Sequence, residues 1–320
     1  MNLALIGFGD VGKAFARLME RKRAQYPFRI VGVHTARHGT AIDPHGLGSN
    51  PVFGPAAASV DDFLDRCEAE VVFEVTPLNP STGEPAITHI RAAFERRMHV
   101  VTANKGPIAH AYEALRQEAV RAGVQFRFES IVMDGAPIFN LVRETLPGVQ
   151  IRGFTGVINS TTSIVLEAME RGHTLEEGID LARNLGITET DSDYDIDGWD
   201  AAAKTAALAN VLLDANVTPL QVDTKGIRRQ TPQKLAELNA QGKTVRLISR
   251  VHRNKNGLKL RVRAEVLEKS DVLASARGTS SILLLDTELM GTIGMIELHP
   301  GVEQTAYGLF SDLVDIARVI

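Results

Sequence analysis

Residues 1–22 read MNLALIGFGDVGKAFARLMERK, and this stretch decides the fold. Asn2 to Ile6 is a short apolar run, Gly7-Phe8-Gly9-Asp10-Val11-Gly12 follows at once, and AFARLMERK then shows helical periodicity. The order is strand, glycine turn, helix. Glycine permits the tight turn and a close backbone approach, while the first helical turn offers free N–H groups to a pyrophosphate. A lone GxGxxG is weak. One that follows a strand and opens a helix reads as a dinucleotide site, with Gly7, Gly9, Asp10, Val11 and Gly12 against the phosphates.

Further along, the pattern repeats. A strand over Phe28–Val33 should end near the residue that reads the adenosine ribose, about 20 positions past the glycines. The chain there gives His34-Thr35-Ala36-Arg37-His38, with no acid until Asp43. An acid would accept from the 2′-hydroxyl of NAD, whereas Arg37 suits a 2′-phosphate, so NADP is favoured over NAD. Val71–Val75 and His99–Thr102 read as further buried parallel strands, with helices at Val60–Glu70 and Thr88–Arg97 between them. Their carboxyl ends, Thr76-Pro77-Leu78-Asn79 and Thr102-Ala103-Asn104-Lys105, fall where doubly wound sheets bind ligands, which puts Thr76, Asn104 and Lys105 at the cofactor crevice. Phe126–Ile131 is the last strand of this half.

The remainder changes character. Strands at Gly153–Ile158, Thr244–His252, Lys259–Val266, Ser281–Asp286 and Gly294–Ile296 alternate with helices at Thr161–Arg171, Thr174–Leu185, Ala201–Leu213 and Pro232–Gln241. These predict an α+β domain with an open mixed sheet beside the Rossmann-type one, an α/β protein as a whole. The expected division is residues 1–135 for dinucleotide binding, completed by a C-terminal helix over 303–320, and residues 136–302 for substrate.

The chemistry concentrates in residues 185–213, LGITETDSDYDIDGWDAAAKTAALANVLL. From Ala201 to Leu213 the helix is apolar around its circumference, and Lys204 is its single charge. Helical spacing places Lys204 on the side of Asp200, Leu208 and Val211, toward packed interior. In one reading Asp197 caps the helix and Asp200–Lys204 is an ordinary i,i+4 pair. An exposed pair of that kind contributes only about 0.3–0.5 kcal/mol and does not explain a lysine among alanines and leucines, so Lys204 and Asp200 read as functional. Asp191, Asp193, Asp195 and Asp197 divide evenly between the two readings.

Composition bounds the partners. With 320 residues and 44% hydrophobic content the chain can build two cored domains. A net charge of -4 and a pI near 6.2 leave no basic footprint for nucleic acid. No apolar run approaches the ~18 residues that suggest a membrane span, and the N-terminus lacks a signal-peptide pattern, so a cytoplasmic protein is expected. The single cysteine, Cys67, excludes a disulfide framework and a CxxC metal site, and in DDFLDRCEAE it reads as a structural thiol.

With the glycine turn, VVTANK, GVINSTTSIVLEAM, the residue 185–213 stretch and the closing HPGVEQTAYGLFSDLVDIARV in hand, the chain resembles the homoserine dehydrogenase family over nearly its whole length, without a C-terminal regulatory domain. The resemblance implies NAD(P)-linked interconversion of L-homoserine and L-aspartate 4-semialdehyde, in threonine and methionine biosynthesis. It implies Lys105 and Lys204 as catalytic lysines, Glu189, Asp200 and Thr161 against a small amino-acid substrate, and Gly186 and Gly301 near the cofactor. It also implies a monovalent cation, Na+ or K+, at Glu129, Val132, Asp134 and Ala136, and a homodimer through the second domain, with no nucleic acid and no membrane. Unaided, a lysine near pKa 10.4 is a poor base, and burial beside a second cation lowers it. Lys204 is then the acid/base and Lys105 polarises the hydroxyl, or the two exchange roles.

Two departures keep other readings open. Val132-Met133-Asp134-Gly135 stands where the family has a glycine-rich turn, and Asn159-Ser160-Thr161-Thr162-Ser163 where it has N-G-T-T-N. The added side chains fit an oxidoreductase for another small amino- or hydroxy-acid. The fold alone also fits a non-catalytic nucleotide sensor.

Overall fold

The computed structural model describes every residue except 189–191 and 256. The chain divides into two units, residues 1–140 with 301–320, and residues 141–300.

In the first unit, β1 (Asn2–Ile6), β2 (Arg29–Thr35), β3 (Gly39–Ile42), β4 (Val71–Glu74), β5 (His99–Thr102) and β6 (Phe126–Arg127) form a sheet in the order β3-β2-β1-β4-β5-β6. All neighbours are parallel except β2 and β3, a hairpin. The doubly wound fold class stands. The strand order reverses between β1 and β4, the switch point where such sheets hold ligands. Leu3 and Leu5 of β1, Phe15 of helix Asp10–Lys22, and Leu309 and Leu313 of helix Val302–Val319 share one buried core.

Three elements differ from the sequence reading. The expected loop after β2 turns within three residues into β3, which is possible only because an antiparallel partner needs no crossover. Helix Lys105–Ala122 was hidden by Gly106-Pro107, a breaker signal that is harmless here, because first-turn residues have no intrahelical partner for their N–H groups. The strand expected over Phe126–Ile131 stops at Arg127, and Glu129–Ile131 is a 3₁₀ turn. Side chains bend it there. Asp312 accepts the Glu129 N–H at 2.7 Å, and the Glu129 carboxylate accepts the N–H groups of Phe139 and Asn140, each at 2.8 Å.

In the second unit, β7 (Ile151–Val157), β8 (Asp223–Thr224), β9 (Lys243–Asn254), β10 (Gly257–Glu268), β11 (Ser281–Thr287) and β12 (Thr292–Glu297) order as β12-β11-β7-β9-β10-β8. All pairs are antiparallel except β10 with β8, so the sheet is mixed. Helix Trp199–Leu213 is buried at Ala201, Ala202, Ala203, Ala206, Ala207 and Leu208, as its composition requires. Its cap is Gly198 at φ +86°, with no side-chain cap. Asp197 is therefore not the cap; it pairs with Arg228, as Asp193 does. No helix among the described residues is long and apolar enough to cross a membrane.

Candidate active site

At the first unit's switch point, Gly7 sits at φ +100° and its N–H donates to the His34 carbonyl at 2.9 Å. A Cβ there would lie 2.6 Å from the Val75 carbonyl oxygen, so only glycine lets β1 and the end of β4 approach so closely. Gly9 is different. A Cβ on Gly9 would meet nothing within 4 Å, and no side chain caps the helix that Gly9 begins. The first-turn N–H groups keep the donor capacity that a pyrophosphate uses, so this turn fits a dinucleotide. Gly12 packs 3.4 Å from the Gly7 oxygen, measured from its own would-be Cβ. Val11 packs against the core, Asp10 is exposed in the first turn, and Arg37 is exposed between β2 and β3.

The ends of β4 and β5 are tied together by a residue the sequence reading passed over. Glu74 is fully buried. Its carboxylate accepts the Thr76 hydroxyl and lies 3.4 Å from His89 Nδ1, while the Thr102 hydroxyl donates to the Glu74 carbonyl at 2.9 Å. Asn104 completes the knot. Its N–H donates to Thr102 Oγ1 at 2.9 Å, its amide donates to the Thr76 carbonyl at 3.2 Å, and its Oδ1 accepts the Gly106 N–H at 2.9 Å, capping the helix that starts with Lys105. Three expected residues, Thr76, Asn104 and Lys105, thus share one framework. A buried acid at a strand's end was the available signal for Glu74.

In the second unit the carboxylates converge on Asn159. Its side-chain amide donates to Asp195 Oδ1 at 2.7 Å and to Asp200 Oδ2 at 2.9 Å, while its Oδ1 accepts the Thr162 N–H at 2.8 Å and caps helix Ser160–Glu170. Thr161 and Thr188 donate their hydroxyls to Asp195 Oδ2 at 3.0 and 3.2 Å. Lys204 lies 3.3 Å from Asp200 and donates to the Ile158 carbonyl at 2.8 Å, and both side chains are largely enclosed. Burial pushes the Asp195 carboxyl up from its ordinary value, and the neighbouring Asp200 pushes it further, against the pull of Asn159, Thr161 and Lys204. Tyr194 has a buried hydroxyl without a hydrogen-bond partner among the described residues, raised by burial and then by these two acids.

Asp200, Lys204 and Thr161 therefore meet in one cluster, joined by Asp195 and Asn159. Asp195 was one of four aspartates with equal claims. What separates it is a turn, Asp193–Ile196, that sequence spacing does not reveal. Glu189 and Asp191 lie outside the described residues. Gly186 ends its helix at φ +69°, exposed, and Gly301 caps helix Val302–Val319 with its N–H on Gln304 Oε1 at 3.0 Å.

The chain matches two family models, "Homoserine dehydrogenase, NAD binding domain" over residues 7–129 and "Homoserine dehydrogenase" over residues 137–314. It is 36% identical to the homoserine dehydrogenase of Methanocaldococcus jannaschii, covering 99% of this chain and 98% of that one. It is 33% identical to the NAD(+)-dependent homoserine dehydrogenase of Pseudomonas canavaninivorans, covering 98% and 96%. Among solved structures, it superposes on a hyperthermophilic archaeal homoserine dehydrogenase in complex with NADPH with TM-score 0.84 at 25% identity, covering 100% and 98%. A homoserine dehydrogenase from Thiobacillus denitrificans gives TM-score 0.85 at 27% identity, covering 100% of this chain and 73% of that one. A glycine turn built for a dinucleotide and a lysine seated among carboxylates lead to the same place: the chain belongs to the homoserine dehydrogenase family, NAD(P)-dependent oxidoreductases acting on a CH–OH group.

Proposed function

We propose that the protein interconverts L-homoserine and L-aspartate 4-semialdehyde, with Lys204 as the group that moves the hydroxyl proton. The observation that carries this reading is the seating of Lys204, 3.3 Å from Asp200 and 2.8 Å from the Ile158 carbonyl, inside a largely enclosed cluster. NAD(P), when bound, supplies or accepts the hydride. The residues do the rest. Asp195, Asp200 and Glu189 hold the substrate ammonium, Thr161 fixes Asp195 in place, and Lys105 polarises the reacting hydroxyl. The pyrophosphate is held by Gly7 to Gly12, with Thr76, Asn104, Gly186 and Gly301 shaping the rest of the cofactor site. NADP is the preferred form, since no acid follows β2.

The two departures from the family pattern do not argue for another substrate. Met133 is fully buried, Asp134 accepts the Thr305 hydroxyl at 2.8 Å, and the Ser163 and Ser160 hydroxyls donate to backbone carbonyls at 3.2 Å each. At the turn proposed for a monovalent cation, each Glu129 oxygen accepts one backbone N–H and keeps a further lone pair. Backbone carbonyl oxygens would provide much of such a site, and no step is assigned to it. A homodimer and a cytoplasmic location belong to the same proposal.

The test is absorbance of the reduced nicotinamide with purified protein, L-homoserine and either dinucleotide, beside other hydroxy-amino acids. Homoserine turnover that disappears in Lys204→Met supports the reading. Preferred turnover of another hydroxy-acid would replace the substrate.

A further inference from the structure

A cleft of about 330 Å³ opens beside the glycine turn, on the solvent side of helix Asp10–Lys22. Phe8, the residue between Gly7 and Gly9, forms one wall, and Phe53 stands across from it with ring centroids 6.0 Å apart. His38, on the turn after β2, stacks at a tilt on Phe53 at 5.9 Å, and its N–H donates to Thr35 Oγ1 at 2.8 Å, which fixes that turn. Lys13 and Arg17 project from successive turns of the helix into the same cleft. Asn50 lines it too, and no carboxylate does.

We infer that this cleft is the reader of the adenosine 2′-phosphate, with Lys13 and His38 as the residues that select NADP over NAD. The inference deepens the cofactor reading above and rests on the dinucleotide lying along the glycine turn.

Three observations carry it. The cleft sits where β2 ends, and the residue after that strand is the one that meets the ribose 2′ position in this fold. An NAD-selective site places a carboxylate there to accept from the 2′-hydroxyl, and this lining has none, while Lys13 and Arg17 bring two cations to it. Its cations also differ in freedom. Arg17 is committed to Glu303 at 3.0 Å, while Lys13 has no ion pair among the described residues and can turn fully to a phosphate. Arg37 occupies the same exposed turn as His38 but is not part of the lining. The role expected of Arg37 moves one residue along the chain and across to the helix.

The experiment is direct binding, by calorimetry, of 2′,5′-ADP and 5′-ADP, and of NADPH and NADH, to the whole protein without homoserine. Wild type should bind 2′,5′-ADP more tightly than 5′-ADP. Lys13→Ala should weaken 2′,5′-ADP and NADPH by about tenfold or more while moving 5′-ADP and NADH by less than about twofold, as expected for loss of one charge-assisted phosphate contact. Lys13→Arg should recover most of the loss, and His38→Ala should show a smaller selective effect. Equal weakening of both ligands by Lys13→Ala, no weakening, or a selective loss confined to Arg37→Ala would overturn the inference while leaving the dinucleotide reading intact. Failure of wild type to bind any of the four would overturn both.

Discussion

Lys204 donates to the carbonyl oxygen of Ile158 at 2.8 Å, one residue before the Asn159 that gathers Asp195 and Asp200. The lysine is thus fixed by the backbone of β7's end as well as by a carboxylate on its own helix. Two fixed acceptors thus direct the protons of Nζ, the positioning that the proposed acid/base role requires of a flexible side chain.

Lys204→Met should keep the stem's packing and remove the proton carrier. Turnover is expected to fall by about 10²–10⁴-fold, the usual worth of a positioned general acid/base, with dinucleotide affinity unchanged. Steady-state rates beside NADPH titration check this. A variant retaining most of its turnover would remove Lys204 from the mechanism.

Asp195→Asn separates function from stability. The raised Asp195 pKa means the folded state binds the proton more tightly than the unfolded chain does. Stability then falls as pH rises through the raised value and is recovered as pH drops back through it. At neutral pH the carboxylate therefore costs stability, and its amide replacement should melt at a higher temperature than wild type while the KM for homoserine rises at least about tenfold, since an ammonium loses a charged partner. Melting curves across pH 4 to 8, about the range of carboxylate and imidazole titration, should converge at the acid end. Parallel curves would contradict the assignment.

The two turn glycines make opposite predictions. Gly7→Ala drives a Cβ to 2.6 Å from the Val75 carbonyl at a backbone angle of +100°, so the variant should lose stability and dinucleotide binding together. Gly9→Ala enters open space, so its melting temperature should stay at the wild-type value while dinucleotide affinity falls about tenfold through blocked pyrophosphate approach. Undiminished binding by Gly9→Ala would move the pyrophosphate elsewhere.

Cys67 should resist thiol reagents until the first unit opens. Burial pushes its thiol up to about 12, and the bare Cα of Gly32 on β2 makes room for its sulfur: a Cβ there would lie 2.1 Å from Sγ. Labelling with a chromogenic disulfide should track the unfolding transition in urea, and rapid modification of native protein would refute this burial.

How much of this was legible in the sequence follows from the range of the forces involved. The glycine turn, β1, β4, β5 and the lone lysine of helix Trp199–Leu213 are local statements, written in periodicity and in residues with one evident use. Helix Lys105–Ala122 was also local but disguised, because Gly106-Pro107 reads as a break unless the start of the helix is already known. The truncation of β6 could not be read locally at all, since the residue that takes the Glu129 N–H, Asp312, lies 183 positions away. Asp195 was hidden for a related reason. Its neighbours carry the same side chain, and only Asn159, Thr161 and Thr188, brought together by the fold, distinguish it from Asp193 and Asp197, which face Arg228.

Helix Val302–Val319 has a consequence for the order of events in the cell. It supplies Leu309, Phe310, Leu313 and Ile316 to the core beneath β1, and its Glu303 joins Arg17 and Arg21 of the first helix. Synthesis runs from the N-terminus and domains usually fold as they emerge. Here the residues made first wait for residues 301–320, so on the ribosome the unit of residues 141–300 has its whole sequence available before the nucleotide unit does. The glycine turn, translated before residues 141–300, gains the last piece of its core only after them, and a chain interrupted before residue 301 would lack the helix that packs beneath β1.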